Sequence, residues 1–469
     1  MSGTGSSRPV AIIGAGLTGL SAAHVLHRSG VPIIVFESAS DIGGASMTVR
    51  FGDFRFDLGG HRLYTRNEAV LRMVHDLLGD ELLTVHRRSR IYLDGKFVEY
   101  PLEFFDVLAA LGPIGSARVV SSYVWQRARG LVAPPADETF EDWVVSRFGR
   151  RLYEIYFRPY SEKVWGVPCS ELKADFAAQR IKGLSFREAV RNMLFRRDGG
   201  PPSLVREFLY PRLGFGRIPE AIAATLAPGT VRTESPVVRL QHDGSRVTRI
   251  VWRTRGNEES LEPASVISTM PVSDLVSLLR PEPPAQVRDA AAGLRYRDMV
   301  IVFLALRREQ VTPDHWIYFS SDDVFFGRMH EPKNWSSAMA PGGSTSLVVE
   351  IFCYETDPVW SEPAGSLARR VARRLAEIGL IEENDVEDST IVRLRKAYPL
   401  YAGDYRERLR VIFEYLRGLT NLQSAGRNGL FRYTSGDRYI EMGMKAAENL
   451  LGGSHDLLGV ATERAYAED

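Results

Sequence analysis

The chain has 469 residues, of which 44% are hydrophobic and 25% charged, and its formal net charge is +1. This is the composition of an ordinary soluble globular protein with room for two or more domains, and it supplies no global field that would suggest nucleic acid or an anionic membrane surface as a partner. Cys169 and Cys353 are the only cysteines and stand in no paired-ligand spacing, which excludes a disulfide framework and a zinc cluster, so no metal is expected. The N-terminus "MSGTGSSRPV" lacks the apolar run of a signal peptide, and a reducing, cytoplasmic location is the expectation. Arginine dominates the basic residues, as in a GC-rich genome, so local clusters such as "VHRRSR" (Val85 to Arg90) read as solvated faces.

"PVAIIGAGLTGLSAAHVLHRSGVPIIVFESA" reads as strand, glycine turn, helix, strand. Val10 to Ile13 are apolar throughout, as in a strand buried on both faces. Gly14, Gly16 and Gly19 then form G-x-G-x-x-G: a tight turn, a close approach to pyrophosphate, and close packing of the following helix. That helix starts at Leu17 and Thr18, and its first amides form an anion site. Glu37, followed by Ser38, ends the second strand where a carboxylate accepts hydrogen bonds from an adenosine ribose. A second glycine pair, Gly43-Gly44, with Ala45 after it, precedes "FDLGGHRLYTRNE" with Gly59, Gly60, His61 and Arg62. A simple dehydrogenase would pass to another helix here. Two further glycine approaches fit a longer ligand, and FAD is the expected cofactor.

Leu102 to Trp125 is apolar but broken by Asp106, Gly112, Pro113 and Arg118, too interrupted to span a bilayer. A helix lying on a membrane stays open for it. "FEDWVVSRFGRRLYEIYFRPYSEKVWG" is an aromatic-rich helical stretch in which Trp165 is either core or pocket wall. "YPRLGFGRIPEAIAATL" places glycines before a helix, and two alternating strands come after it around the Asp243-Gly244 turn. "ASVISTMPVSDL" is a short buried strand ending at Pro271. Two further segments, holding Arg328 and Glu350, read as sheet strands, with the two charges either in a site or in a structural ion pair. The C-terminal "NLQSAGRNGLFRYTSGDRYIEMGMKAAENLLG" contains Gly426-Arg427 after a strand, with Ser435 or Asp437 capping a last helix.

The order G-x-G-x-x-G, Glu, G-G, "DLGGH" resembles the FAD-binding start of the amine oxidase and protoporphyrinogen oxidase superfamily. "GGHRLYTRNE", "YSEKVWG", "KAYPLY" and the Gly426-Arg427 run are similar to stretches of UDP-galactopyranose mutases. The resemblance implies an α/β fold with a Rossmann-type, glutathione-reductase-like FAD-binding domain, an inserted mixed β-sheet substrate domain and a helical subdomain. The segments assigned are 1–78, 200–275 and 418–469 for FAD, 102–199 for the helical part, and 79–101 with 276–417 for the substrate sheet. It further implies that Val237 binds adenine through its backbone, that Gly59 and Gly60 approach the isoalloxazine ring, and that His61 lies at its reactive face. Arg62, Trp165, Arg328, Tyr398, Arg432 and Tyr433 become candidates for substrate contact, and Gly426, Arg427 and Asp437 for the cofactor. Ala45 stands where the amine oxidases have arginine, and Thr434 and Ser435 replace a Tyr and an Asp of the mutases. The expectation is therefore an oxidoreductase with non-covalent FAD. It would move hydride from a small polar substrate, sugars included, to flavin N5. The alternatives are a redox-neutral nucleotide-sugar mutase that uses reduced FAD as nucleophile, and a non-catalytic flavin-binding protein.

Overall fold

A computed structural model describes residues 8–93, 95–100, 104–132, 138–174 and 207–460, with 104–111 and 132 described by backbone alone. Residues 175–199 of the expected helical part and 200–206 of the expected flavin part lie outside the described residues.

The first layer is a five-stranded parallel sheet in the order Leu422–Ser424, Ser265–Ser268, Val10–Ile13, Ile33–Phe36, Val231–Arg232. Its central strand, Val10–Ile13, is buried along its whole length, which its unbroken apolar run requires. The helix Leu17–Arg28 covers one face and packs along the last long helix, Gly436–Leu450. Their contact is close enough that a Cβ on Gly443 would fall 2.1 Å from the Thr18 carbonyl oxygen. Three strands from distant parts of the chain thus flank the N-terminal unit, and every strand of this sheet ends on the same edge.

The second layer is a seven-stranded sheet in the order Val386–Pro399, Tyr296–Leu306, Thr345–Cys353, Arg328–His330, Trp316–Phe319, Ser89–Leu93, Lys96–Glu99. All pairs are antiparallel except Trp316–Phe319 with Ser89–Leu93. Strand Tyr296–Leu306 is buried at all eleven positions. Because side chains alternate along a strand, Val300, Val302, Leu304 and Leu306 pack on the side of helix Ala364–Glu377. Met299, Ile301, Phe303 and Ala305 face the main core. There Phe303 stacks on Phe56, with ring centroids 4.5 Å apart, which joins the sheet to the hairpin Thr48–Phe51 and Phe54–Asp57.

The hairpin ends at Asp57. Its buried carboxylate accepts the Tyr210 hydroxyl at 2.7 Å, the Thr48 hydroxyl at 2.5 Å and the Phe215 amide at 3.1 Å. Burial raises its pKa to about 6, against the lowering effect of those three hydrogen bonds. The next segment, Leu58 to Arg62, is therefore anchored at its start. The aromatic-rich stretch forms helices at Phe140–Phe148 and Arg158–Trp165, joined through a wider helical turn at Tyr153–Phe157. A turn of that kind inserts one residue and rotates the helix beyond it, and it is often found beside functional sites.

Candidate functional site

At the edge where the parallel sheet ends, Gly14 turns with φ +102°, a conformation that side-chain-bearing residues rarely adopt. A Cβ there would lie 2.2 Å from Thr269 Oγ1, and one on Gly19 would lie 1.9 Å from the Gly14 carbonyl oxygen. The two glycines thus set the turn and the helix approach that the motif predicts. Gly16 bridges to Gly43, and the Gly43 amide donates to the Ala15 carbonyl at 2.8 Å, so the second glycine pair is held against the first. Gly44 and Ala45 come next in a single 3₁₀ turn. Met47, in the position often held by arginine, packs against the core and brings no charge.

Glu37 accepts from the amides of Ala15 at 2.8 Å and Ala39 at 2.9 Å, and from the Ser38 hydroxyl at 3.2 Å. Beside it, the Ser235 amide donates to the Glu37 carbonyl at 2.8 Å, and Val237 starts the neighbouring strand opposite Trp252. The helix Leu17–Arg28 has Gly16 as its N-cap and no side-chain cap, so its first amides are open to an anion. At its other flank, a Cβ on Gly426 would meet Thr18 Oγ1 at 2.9 Å, which brings the C-terminal segment to the same helix.

The second cluster is built by the register of the seven-stranded sheet. Tyr318 pairs with Arg328 and Arg328 with Glu350, so all three project from one face in a row across adjacent strands. Arg328 Nε donates to Glu350 Oε1 at 2.8 Å, and its Nη2 makes a second bond to Oε2. Of the two expected alternatives, the ion pair between Arg328 and Glu350 is present. Burial alone would raise the Glu350 pKa. The Arg328 charge and hydrogen bonding outweigh it and hold the carboxyl at about 2. His330 Nδ1 lies 3.6 Å from Glu350 Oε1, beyond hydrogen-bond distance, and burial keeps its ring below the ordinary value.

Gly59, with φ +137°, runs alongside this pair. A Cβ there would be 3.6 Å from His61 Cε1, 3.9 Å from Glu350 Oε1 and 4.0 Å from Arg328 Nη2. His61 stacks on Phe215, with centroids 5.3 Å apart. Burial first, and then the charge of Arg427, push its pKa down to about 3, so the ring is neutral at physiological pH. Tyr398 Oη is 3.5 Å from Arg328 Nη2. That tyrosine is re-aimed where strand pairing is interrupted between Arg297 and Met299, and Lys396 there has φ +52°. Trp165, Tyr398 and Tyr433 form an aromatic triangle with centroid separations of 6.0, 6.2 and 5.0 Å. Trp165 is accordingly part of the core.

The Arg427 guanidinium carbon sits 4.5 Å from the Tyr398 ring centre and 4.8 Å from that of Tyr433. Its Nε and Nη2 are buried with no hydrogen-bond partner among the described residues. The same holds for His61 Nδ1, Asn428 Oδ1, Arg432 Nε and Ser268 Oγ. Unsatisfied buried polar atoms are rare because each costs about 1–3 kcal/mol. Those of Arg427 and His61, whose charges reach one another beside the Gly59 turn, suit a polar ligand that supplies the partners. A flavin dinucleotide fits: its pyrophosphate suits the Leu17–Arg28 terminus, its ribose suits Glu37, and its ring suits the Gly59 to His61 segment.

Tyr160, Tyr156 and Tyr439 lie deep enough that burial raises their phenol pKa values, yet each keeps accessible surface. Tyr160 packs on Tyr318 at 5.6 Å, Tyr318 on Tyr100 at 5.1 Å, and Arg87 stands 4.9 Å over Tyr100 and 5.3 Å over Trp316. Arg62 also stands 5.3 Å over Trp316, so it leaves His61 and joins this outer belt rather than the Arg328 cluster. Arg87 corrects the reading of "VHRRSR" as a solvated face, because the rings of Tyr100 and Trp316 lie under its guanidinium. Arg90 is likewise held, 2.6 Å from the fully buried Asp314. Trp316 and Tyr318, two apart on one strand, carry an alternation signal through which the sequence could have pointed to this aromatic belt.

Asp437 is buried and accepts from the Ser435 hydroxyl at 2.5 Å. Ser435 is the N-cap of the last helix, but its side chain bonds Asp437 instead of the helix amides. Lys163 of "YSEKVWG" donates to the Phe319 and Ser321 carbonyls at 2.8 and 2.7 Å, tying the helix to the sheet and not entering the site. Cys169 and Cys353 are buried thiols that burial pushes up to about 12, so neither is a reactive thiolate. An open cleft of about 420 Å3 lined by Asp274, Arg288 and Lys396 holds none of the predicted site residues.

The family of flavin containing amine oxidoreductases matches residues 17–446. The probable UDP-galactopyranose mutase of Klebsiella pneumoniae is 24% identical over 223 residues, which are 46% of this chain and 53% of that protein. The flavin-containing amine oxidase B of Sus scrofa is 36% identical over 95 residues, 20% of this chain and 18% of that one. The chain thus matches about half, or less, of the length of these curated relatives. Among solved structures, a reduced UDP-galactopyranose mutase aligns with a TM-score of 0.84 at 23% identity, covering 97% of this chain and 96% of that chain. Cyclohexylamine oxidase from Brevibacterium oxydans aligns with a TM-score of 0.64 at 16% identity, covering 95% and 99%. At these identities the likeness establishes the fold.

Proposed function

From the premise that the chain belongs to the flavin-containing amine oxidoreductase family and takes FAD as its cofactor, we propose that it acts on an anionic substrate of the nucleotide-sugar class. We further propose that it rearranges that substrate without net redox change. The observation that carries this reading is the clustering of guanidinium and phenol groups beside Gly59. Arg328 and Arg427 both meet Tyr398, Arg427 also lies over Tyr433 and Tyr439, and Tyr318 beside Arg328 packs on Tyr160, while the carboxylate among them, Glu350, is already committed to Arg328. Guanidinium groups and neutral phenols are the donors that a diphosphate needs. Burial holds Tyr398 and Tyr439 at about 12, so both keep their protons to donate.

Bound FAD supplies either a two-electron acceptor or, when reduced, an electron-rich ring. The residues of this chain favour the second use. Removing hydride from an alcohol calls for a base poised near neutral pH. His61 at about 3 and Glu350 at about 2 are too weak for that task. An amine would enter as a cation, and Arg427 already covers the faces of Tyr398 and Tyr433 that would receive it. We therefore place the redox-neutral reading ahead of the oxidoreductase one. Thr434 and Ser435 still leave the mutase pattern incomplete, but Tyr160, Tyr318 and Tyr439 supply phenols from other elements. The names of the Klebsiella relative and of the closely superposed mutase structure point the same way.

The test is ligand binding to the oxidised holoprotein, read as perturbation of flavin absorbance. Nucleoside diphosphate sugars should perturb the spectrum, free nucleoside diphosphate should compete, and Arg427→Met should weaken both at least tenfold. Perturbation by neutral sugars or amines, with none by nucleotide sugars, would refute the reading.

A further inference from the structure

Gly112, with φ 68°, and Pro113 divide the long helix Phe104–Val132 in two. In the second part, residues 113–132, Val119 is buried and Gly115, Ser116, Ser122, Tyr123, Gln126 and Gly130 are half-buried. That side packs on helices Phe140–Phe148 and Arg150–Leu152. At about 100° per residue, the opposite arc carries Ile114, Ala117, Val120, Val124, Trp125, Ala128 and Leu131, all exposed, with Ser121 the one polar residue among them, its hydroxyl donating to the Arg118 carbonyl. Of the six large apolar side chains left exposed among the described residues, five are on this arc. Ile114 and Trp125 are each 72% exposed and Leu131 is 89% exposed. The stripe runs about 25 Å along the helix, far from the scattered single exposures that need no explanation.

Charge says what covers it. From Gly112 to Val132 the sequence holds Arg118, Arg127 and Arg129 and no Asp or Glu. Arg118 and Arg129 flank one side of the stripe and Arg127 the other, all exposed. An apolar stripe with tryptophan, bordered by arginine alone, is the pattern of a helix lying in a bilayer interface. Among the described residues no helix is long and apolar enough to cross a membrane, so attachment here is peripheral. The geometry points to residues 113–132 as a docking surface for an anionic membrane. The apolar arc enters the headgroup boundary and the three arginines pair with acidic lipid. This goes beyond the proposed reaction and does not depend on it.

The test is co-sedimentation of the full-length holoprotein with phosphatidylcholine vesicles that contain phosphatidylglycerol, or none. Binding should require the anionic lipid and weaken as added salt shortens the screening length. The double variant Trp125→Ser, Leu131→Ser should lower partitioning at least tenfold, and each arginine changed to glutamine should lower it about fivefold. Unchanged flavin absorbance and thermal midpoint in these surface variants serve as the control for folding. Absence of binding to anionic vesicles would overturn the inference. A concentration-dependent dimer in sedimentation velocity, abolished by the same double variant, would also overturn it in favour of a second copy of the chain.

Discussion

Removing either partner of the Arg328–Glu350 pair should destabilise the protein far more than removing both. Glu350 is fully buried in the middle of the sheet, and the Arg328 side chain is only 17% exposed. Arg328→Met leaves a carboxylate without its bidentate partner, and Glu350→Leu leaves a guanidinium among His61, Arg427 and His330 with no counter-charge. A broken buried pair of this kind costs about 3–5 kcal/mol, whereas replacing both members with apolar groups of similar volume is close to neutral. With about 2.1 cal/mol/K of unfolding entropy per residue, 469 residues give roughly 1 kcal/mol/K. Each single variant should therefore melt about 3–5 °C lower and the double variant within about 1 °C of wild type. The assay is thermal unfolding of the holoprotein across this double-mutant cycle at pH 7. The pH dependence has a definite sign. The Glu350 carboxyl lies near 2 in the fold against an ordinary 4.5, so its contribution is complete above about pH 4.5 and disappears as pH falls toward 2. Single variants within about 1 °C of wild type, or a double variant that sums the two losses, would refute the reasoning.

Three further outcomes are expected from the same geometry. Gly14→Ala should yield protein without FAD absorbance near 450 nm, because its Cβ meets Thr269 Oγ1 at 2.2 Å and φ is +102°; retained stoichiometric flavin would count against the cofactor site. His61→Asn should leave the shape of the kcat/KM profile between pH 5.5 and 8 unchanged, since a ring at about 3 is neutral across that range. Loss of an inflection near 6.5 in the variant would show that the wild-type ring titrates there. Asp57→Ala strands the donors of Tyr210, Thr48 and Phe215. It should cost about 3 kcal/mol, read as a fall of roughly 3 °C in the thermal midpoint. In the wild type, the Asp57 contribution from proton binding is complete below about 3.8 and is lost as pH rises through about 6. Asp57→Asn should flatten that part of the stability profile.

The N-terminal strand–turn–helix–strand unit was legible because it is local. Gly14, Gly16, Gly19 and Glu37 sit in one strand–turn–helix–strand unit, where spacing along the chain dictates spacing in space. The second cluster rests on strand register, which no local pattern encodes. Arg328 and Glu350 are twenty-two residues apart and become neighbours only because two strands pair in one alignment; a slip of one residue would turn them to opposite faces. The aim of Tyr398 depends on an interruption in pairing around Lys396, equally invisible in the sequence. Arg87 escapes a sequence reading for a similar reason: a run of arginines looks solvated until the rings of Tyr100 and Trp316 are known to lie over it. The apolar stretch after Leu102 was legible as too broken to cross a bilayer. Which arc of its helix faces outward depended on the packing of Val119.

The central claim, redox-neutral chemistry on an anionic nucleotide sugar, is tested most directly by anaerobic turnover of nucleoside diphosphate sugars with the flavin oxidised or reduced by dithionite, analysed by chromatography of the sugar isomers. The account predicts isomerisation only with the reduced holoprotein, lost in Arg427→Met, and no net change in flavin oxidation state. Stoichiometric bleaching of the oxidised flavin by an alcohol or amine, with an oxidised product and no isomerisation by the reduced form, would contradict it.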